Sequence, residues 1–101
     1  MLERGYEILA RRYRNRFGEI DLVAKRNDVL LFIEVKSRSG PEFGDPLQAV
    51  TPRKIAHLRK AACGFLLEYP DYQKNYYWEL AAIAVRHYEE LPKLELVKIL
   101  L

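Results

Sequence analysis

Hydrophobic and polar residues alternate along the first third of the chain, and this pattern predicts three β-strands. The predicted strands cover about residues 6–13, 18–25 and 29–37. Asn27-Asp28 is a short turn signal that would join the second and third strands as an antiparallel hairpin. A loop is predicted over residues 37–46, which contain two Gly and two Pro.

The hydrophobic period becomes that of a helix after Thr51-Pro52. Thr51 is a favourable N-cap, Pro52 suits the first helical position, and Pro70 is predicted to end the helix. The predicted apolar face consists of Ile55, Leu58, Ala62, Phe65, Leu66 and Tyr69. The residues that lie away from most of this face are Arg53, Lys54, His57 and Lys60, and His57 is expected to be an exposed surface residue.

Residues 76–85 and 93–101 complete the pattern as two further strands. The order β-β-β-α-β-β predicts an α/β fold in which a mixed sheet contains a hairpin and is flanked by a helix. The 101 residues suffice for one hydrophobic core, so residues 1–101 are expected to form a single domain.

Composition narrows the class of protein. No apolar stretch approaches the roughly 18–20 residues that a membrane-spanning helix needs, and the first residues contain no apolar signal region. The single cysteine, Cys63, has no intrachain partner and is expected to face the core. These features favour a cytoplasmic protein without a membrane partner.

Positive charge is concentrated in the first 60 residues, which hold 13 Lys and Arg against 8 Asp and Glu. The densest run contains Arg11, Arg12, Arg14 and Arg16, interleaved with Tyr13 and Phe17. Basic residues with interleaved aromatics suit contacts with nucleic-acid phosphates and bases. The same run also suits an edge strand that charge protects from aggregation, and the pattern does not choose between the two.

Two predicted strands carry acidic residues inside apolar runs. A buried carboxylate is costly unless it is paired or bound to a metal. Side chains alternate along a strand, so Glu34 and Lys36 share a face, and a hairpin can bring Asp21 beside Glu34. Two carboxylates and an ammonium group would form a site for a divalent metal and a phosphate. A cross-strand ion pair on a half-exposed face is the alternative.

Several segments together resemble the YraN-type family of small bacterial proteins. The segments are residues 16–22 (RFGEIDL), 32–36 (FIEVK), 43–46 (FGDP) and 48–54 (QAVTPRK). That family looks like a branch of the PD-(D/E)XK nuclease superfamily and is similar in fold to archaeal Holliday-junction resolvases. The resemblance implies a restriction-endonuclease-like sheet and a metal-dependent endonuclease that acts on nucleic acid, with DNA, including branched DNA, as the expected partner.

The resemblance also implies roles for individual residues. Asp21 matches the first metal-binding aspartate, and Glu34 and Lys36 match the E-x-K element. Asp21, Glu34 and the Val35 carbonyl would then hold Mg²⁺ or Mn²⁺, and Lys36 would assist the attacking water. The nucleic-acid contacts implied in this way are Arg11, Arg12, Arg14, Arg16, Gln48 and Lys54. Glu19 is a signature residue of that family with no assigned role, expected to bind a cation or an arginine.

This sequence departs from the resemblance in two places. Members of the family begin with a helix, whereas this sequence begins at the segment that follows it. In related resolvases that helix supplies an acidic residue, so the resemblance implies a fold without its first helix and a site with one ligand fewer. Glu79 stands where the family often has an aspartate.

Two alternatives to the nuclease therefore remain open. One is a non-catalytic nucleic-acid-binding module with a nuclease-like fold. The other is a structural or oligomerising subunit. A homodimer is also expected, because relatives with this fold often act as dimers, although the apolar residues near the C-terminus could equally form an ordinary last strand.

Overall fold

The computed structural model describes residues 5–40, 44–87 and 91–99, in which five strands form one sheet. The strands are β1 (Glu7–Asn15), β2 (Gly18–Arg26), β3 (Val29–Arg38), β4 (Tyr77–Arg86) and β5 (Lys93–Ile99). The helices are α1 (Pro52–Glu68) and α2 (Pro70–Asn75), and a short 3₁₀ helix covers Pro46–Ala49. Within this part of the chain no helix has the length and apolar character that crossing a bilayer requires.

The strands lie in chain order, and only the central pair is parallel. β1–β2, β2–β3 and β4–β5 are antiparallel, whereas β3 and β4 run in the same direction. A parallel pair needs a long crossover connection, and the segment with α1 and α2 supplies it. The mixed α/β class predicted from the sequence is therefore confirmed.

The sheet is apolar on both faces. Its face toward α1 contributes Ile20, Val23, Leu30, Phe32 and Leu80 to a core that the helix completes with Leu58, Ala61, Ala62, Phe65 and Leu66. A second cluster on the other side consists of Tyr6, Ala24, Leu31, Ile33, Ala81 and Ile83. Phe65 joins helix to sheet by an edge contact with Phe32, with 5.5 Å between ring centroids.

The predicted strands and the main helix are present with small shifts of their ends. Thr51 caps α1 as predicted, because its hydroxyl accepts a hydrogen bond from the Lys54 N–H at 3.2 Å. The short helix α2 and the 3₁₀ helix were not predicted. Pro70 ends α1 but also starts α2, since proline fits the first turn of a helix. Residues 100–101 of the last predicted strand lie outside the described residues.

The prediction that Cys63 faces the core is wrong, because its side chain is exposed. Each residue turns a helix by about 100°. Ala61 and Ala62 are both fully buried, so the next residue points away from the sheet.

The turn between β1 and β2 is fastened to α1 by Asn15. The Asn15 amide donates to the Ala61 carbonyl at 3.0 Å, and its oxygen accepts from the Phe17 N–H at 2.9 Å. Gly64 makes room for this contact, since a Cβ at this position would lie 2.9 Å from a Phe17 ring carbon and would also meet the Asn15 amide. The turn can therefore approach α1 closely only where the helix has no side chain.

Gly64→Ala is expected to destabilise the protein by about 1–2 kcal/mol. Overpacking and the loss of the Asn15–Ala61 hydrogen bond together outweigh the better helix propensity of alanine. Urea unfolding at equilibrium measures the change. Cys63→Ala, at the exposed neighbouring position, is the control and should change stability by less than about 0.5 kcal/mol. A Gly64→Ala protein as stable as the wild type would contradict the close contact.

Candidate functional site

The ladder between β2 and β3 stops where the first acidic residue of the site lies. The last register pair is Leu22–Ile33. Continued pairing would have placed Asp21 opposite Glu34. Instead, the Asp21 Oδ2 accepts a hydrogen bond from the Val35 N–H at 2.8 Å. The carboxylate thus takes the place of a backbone carbonyl and is held against β3.

The backbone around Asp21 departs from a regular strand. Ile20 belongs to the core cluster on the α1 side, whereas Leu22 packs against the cluster on the opposite face, so strict alternation is interrupted between them. On β1, Arg12 lies between the register pairs that involve Ile20 and Leu22 and has a φ of 51°. A left-handed conformation is uncommon for a residue other than glycine. The sheet is therefore locally distorted at this position.

Glu34 and Lys36 form an ion pair on the face of β3 that looks toward α1. The Lys36 Nζ lies 3.0 Å from the Glu34 Oε1, and the two side chains are 23% and 18% exposed respectively. Both residues share the strand face of Phe32, which belongs to the core cluster under α1. The sequence-based prediction that Glu34 and Lys36 lie side by side is confirmed.

A cavity of about 360 Å³ lies between the N-terminal end of β2, the strand β3 and the helix α1. Its lining residues are Phe17, Gly18, Glu19, Asp21, Glu34, Lys54, His57 and Leu58. The strand side of the cavity carries carboxylates, and the helix side carries an ammonium group and an imidazole. Such a site can bind a cation on one wall and an anion on the other.

The structure brings together some of the predicted site residues and separates others. Asp21, Glu34 and Lys54 line the cavity, and Lys36 is bound to one of them. Glu19 also lines the cavity, but its carboxylate pairs with Arg14 at 3.2 Å. An arginine was one of the two partners expected for Glu19, the other being a cation. The predicted site residues outside the lining of the cavity are Arg11, Arg12, Arg14, Arg16, Val35, Lys36 and Gln48.

Arg16 and Glu79, neither of which lines the cavity, have contacts of their own. The guanidinium group of Arg16 lies over the Phe17 ring, 4.7 Å from its centroid. Glu79 is 3.3 Å from Lys98 in an ion pair, and by strand alternation it lies on the sheet face opposite Glu34.

His57 lines the cavity, although the sequence pattern predicted only an exposed surface residue at this position. The residue is exposed, as predicted, but it also lines the wall beside Lys54. Residues three positions apart lie on neighbouring parts of a helix surface. Its position three residues after Lys54 was therefore the signal in the sequence that could have assigned His57 to the site.

The donor atoms at the strand wall are oxygens. In the described residues no three His, Cys, Asp or Glu side chains form a group that could hold a metal ion. The two carboxylates can be supplemented by the Val35 carbonyl. In an extended strand the N–H and C=O of one residue point to the same side, and the Val35 N–H points at Asp21. This donor set fits the oxygen preference of Mg²⁺, with water completing the coordination.

A profile of an uncharacterised protein family, UPF0102, matches residues 1–92. The chain belongs to this family. A UPF0102 protein of Syntrophomonas wolfei is 42% identical over 83 residues, which are 82% of this chain and 72% of the relative. One of Clostridium kluyveri is 35% identical over 93% of this chain and 77% of its own length. One of Parafrankia is 52% identical over 65% of this chain but only 56% of its own.

The loop after β3 is anchored in this UPF0102 member by Asp45. Its carboxylate accepts from the Leu47 N–H at 2.9 Å and pairs with the Arg86 guanidinium group at 2.9 Å. The hydrogen bond from Leu47 and the pairing with Arg86 lower the pKa of Asp45. The hydrogen bonds of Arg86 to Glu95 and Asp45 raise its own pKa. This anchor fixes the 3₁₀ helix that carries Gln48, outside the cavity.

Asp45→Asn is expected to lower stability at neutral pH and to lose its effect in acid. Asparagine keeps the cap on Leu47 but removes the charge that pairs with Arg86. Since folding lowers the pKa of Asp45 below the ordinary value of 3.8, its stabilising effect is present above that value and disappears as the pH falls through the lower folded-state pKa. Urea midpoints of both proteins from pH 7 to pH 2 measure this, and a difference that persists at pH 2 would contradict it.

Asp21→Ala is expected to destabilise the protein by about 1–3 kcal/mol, and more than Asp21→Asn. Alanine leaves the Val35 N–H without its acceptor in a part-buried position, whereas the asparagine oxygen can still accept. Urea unfolding ranks the two variants. Amide hydrogen exchange at Val35 provides the second measurement, since only Asp21→Ala should accelerate it strongly. Equal stability of the two variants would show that the hydrogen bond contributes little.

Proposed function

We propose that this UPF0102 member is a metal-dependent endonuclease with a restriction-endonuclease-like arrangement of sheet and helix, acting on nucleic acid, with DNA as the expected substrate. The observation that carries the proposal is the Asp21 carboxylate, which the Val35 N–H holds against β3 beside Glu34. The two acids line one cavity with Lys54 and His57. A metal cation and basic side chains both stabilise the negative charge that develops on a phosphodiester during hydrolysis.

Asp21, Glu34 and the Val35 carbonyl are the groups that would hold Mg²⁺ or Mn²⁺. A bound metal of this kind lowers the pKa of a coordinated water and offsets charge on the phosphate. In the hydrolysis the water oxygen would lose a proton and bond to phosphorus, one P–O ester bond would break, and the departing oxygen would take up a proton. The protein's own contribution is to hold the two carboxylates in place before the substrate arrives.

Lys36 has the role of placing a positive charge at the reacting phosphate. Its ammonium group already lies at the strand wall through its contact with Glu34. A positive charge at this position can orient the attacking water or stabilise charge that develops on the phosphate oxygens. Lys54, on the helix wall, holds the same phosphate from the other side.

The second candidate is a non-catalytic nucleic-acid-binding module. Among the described residues no three His, Cys, Asp or Glu side chains form a group that could hold a metal ion. Of the acids that line the cavity, Glu34 is already paired with Lys36 and Glu19 with Arg14. A site of this kind can bind a phosphate backbone through Lys36, Lys54 and His57 without cutting it. Fold alone does not decide between the two functions.

Purified protein is expected to cleave DNA in the presence of Mg²⁺ or Mn²⁺ and not in EDTA. Branched, duplex and single-stranded DNA and RNA serve as substrates. Glu34→Gln and Lys36→Ala should each reduce the rate by about 10²-fold or more, because each removes charge at the reacting centre. Glu79→Gln and Lys98→Ala are matched controls, since they alter an ion pair elsewhere on the sheet and should retain activity.

The controls separate the possible outcomes. Cleavage that Glu34→Gln and Lys36→Ala leave unchanged would belong to a contaminating nuclease and contradict the proposal. Salt-sensitive binding without cleavage under any metal would favour the binding module. A protein that neither binds nor cuts nucleic acid would exclude both candidates.

A further inference from the structure

We infer that one side of α1, rather than the arginine run of β1, is the surface that holds the phosphate backbone of the nucleic acid. This basic face consists of Arg53, Lys54, His57 and Lys60. The inference rests on the nucleic-acid partner of the proposed function and goes beyond it by naming the surface over which the strand enters the cavity.

The helix α1 contributes no acidic residue beside the basic face that would offset its charge. No Asp or Glu occurs in the sequence between Asp45 and Glu68, and α1 therefore carries an acid only at its last position. All four residues of the face are exposed. In the described part of the chain, Arg53, Lys54 and Lys60 take part in no ion pair, although five other basic residues are paired with acids.

Helical geometry places the four residues in one sector. Arg53, His57 and Lys60 are spaced i, i+4 and i+7, and Lys54 follows Arg53 toward the buried face. At about 100° per residue, the basic face spans about 120° of the helix circumference, from Lys60 to Lys54. Arg59 lies outside it, about 100° from Lys60 at one border and about 140° from Lys54 at the other. The helix therefore has a basic side that borders the cavity and a different side where Arg59 stands alone.

The basic face is continuous with the proposed catalytic residues. Lys54 and His57 line the same cavity as Asp21 and Glu34. From Arg53 to Lys60 the helix advances roughly 10 Å at about 1.5 Å per residue. One DNA strand carries a phosphate about every 3.4 Å of helix axis, so the face can contact about three consecutive phosphates while one of them occupies the cavity.

The arginine run of β1 is less suited to this role. Arg14 is already paired with Glu19, and Arg16 lies over Phe17. Arg11 stands opposite Leu22, which packs against the cluster on the far face of the sheet. The run therefore presents its charges in several directions, whereas α1 presents them in one.

The position of two of these charges is unfavourable for the helix itself. Arg53 and Lys54 lie in the first turn of α1, where the helix dipole disfavours positive charge, and no acid is present in that turn. Removing Arg53 should therefore not reduce stability. A loss of binding in a variant that is at least as stable as the wild type cannot be attributed to a damaged fold.

The test measures binding of a fluorescein-labelled DNA duplex and a labelled four-way junction by fluorescence anisotropy, in EDTA and at several salt concentrations. Three double variants of the full chain each remove two positive charges. They are Arg53→Gln with Lys60→Gln on the basic face, Arg59→Gln with Lys74→Gln on exposed positions elsewhere, and Arg11→Gln with Arg12→Gln on β1. Urea unfolding of each variant accompanies the titrations.

The basic-face variant should raise Kd about tenfold, with an unchanged or higher urea midpoint. The association constant should also depend less steeply on salt, so that the magnitude of its log–log slope falls by about 2. The variant with Arg59 and Lys74 replaced should stay within about threefold of the wild type. A larger loss in the β1 variant, or equal losses in all three, would overturn the inference while leaving the nuclease proposal intact. Wild-type protein that binds neither probe would overturn the inference, and the cleavage assay with Mg²⁺ or Mn²⁺ would then decide the nuclease proposal separately.

Discussion

The hydrogen bond from the Val35 N–H to the Asp21 carboxylate is the interaction on which the candidate site depends. It lies where the β2–β3 ladder ends, at a strand N–H that would otherwise lose its partner in a part-buried position. Hydrogen bonds to a charged acceptor contribute about 1.5–3 kcal/mol, so the carboxylate helps to stabilise the sheet that positions it. Beyond this point β2 no longer pairs with β3, and the cavity occupies the space between them and α1. One contact thus ends the ladder, holds an acid and opens the site.

A separate contact fixes the position of the strand wall of the cavity relative to α1. Asn15 joins the β1–β2 turn to the Ala61 carbonyl of α1, and Gly64 gives the turn the room to approach. Because Phe17 and Gly18 follow directly and line the cavity, the position of the turn sets its width. The buried side of α1 provides the core, and an adjoining side provides cations. The helix therefore connects stability to the proposed binding surface, and a change at one side need not disturb the other.

Local patterns in the sequence predicted most of the secondary structure but less of the site. Alternation and the Thr51 cap located the strands and α1, since both are properties of short segments. Asp21 and Glu34 were found because acids inside apolar strands are costly unless they have partners. Cys63 was misplaced because its small apolar side chain was taken to face the core, although at about 100° per residue it lies outside the predicted apolar face. His57 was not assigned to the site because its relation to Asp21 depends on how α1 docks, and docking depends on contacts far apart in sequence, such as Asn15 with Ala61.

The balance of charge in the cavity connects the resting structure with the proposed reaction. Two nearby carboxylates repel each other, and the Lys36 ammonium group, 3.0 Å from Glu34, reduces this repulsion when no other cation is bound. Asp21, Glu34 and Lys36 together carry one net negative charge. A divalent cation would convert it to one net positive charge, which matches the single negative charge of a phosphodiester. Under the proposed function, a metal at the strand wall would therefore strengthen its attraction for a phosphate, whereas the ammonium group of Lys54 on the helix wall needs no metal to attract one. On the same proposal, Lys54 on α1 would hold the backbone without a metal, and a divalent cation held by Asp21 and Glu34 would supply positive charge to one phosphate at the strand wall.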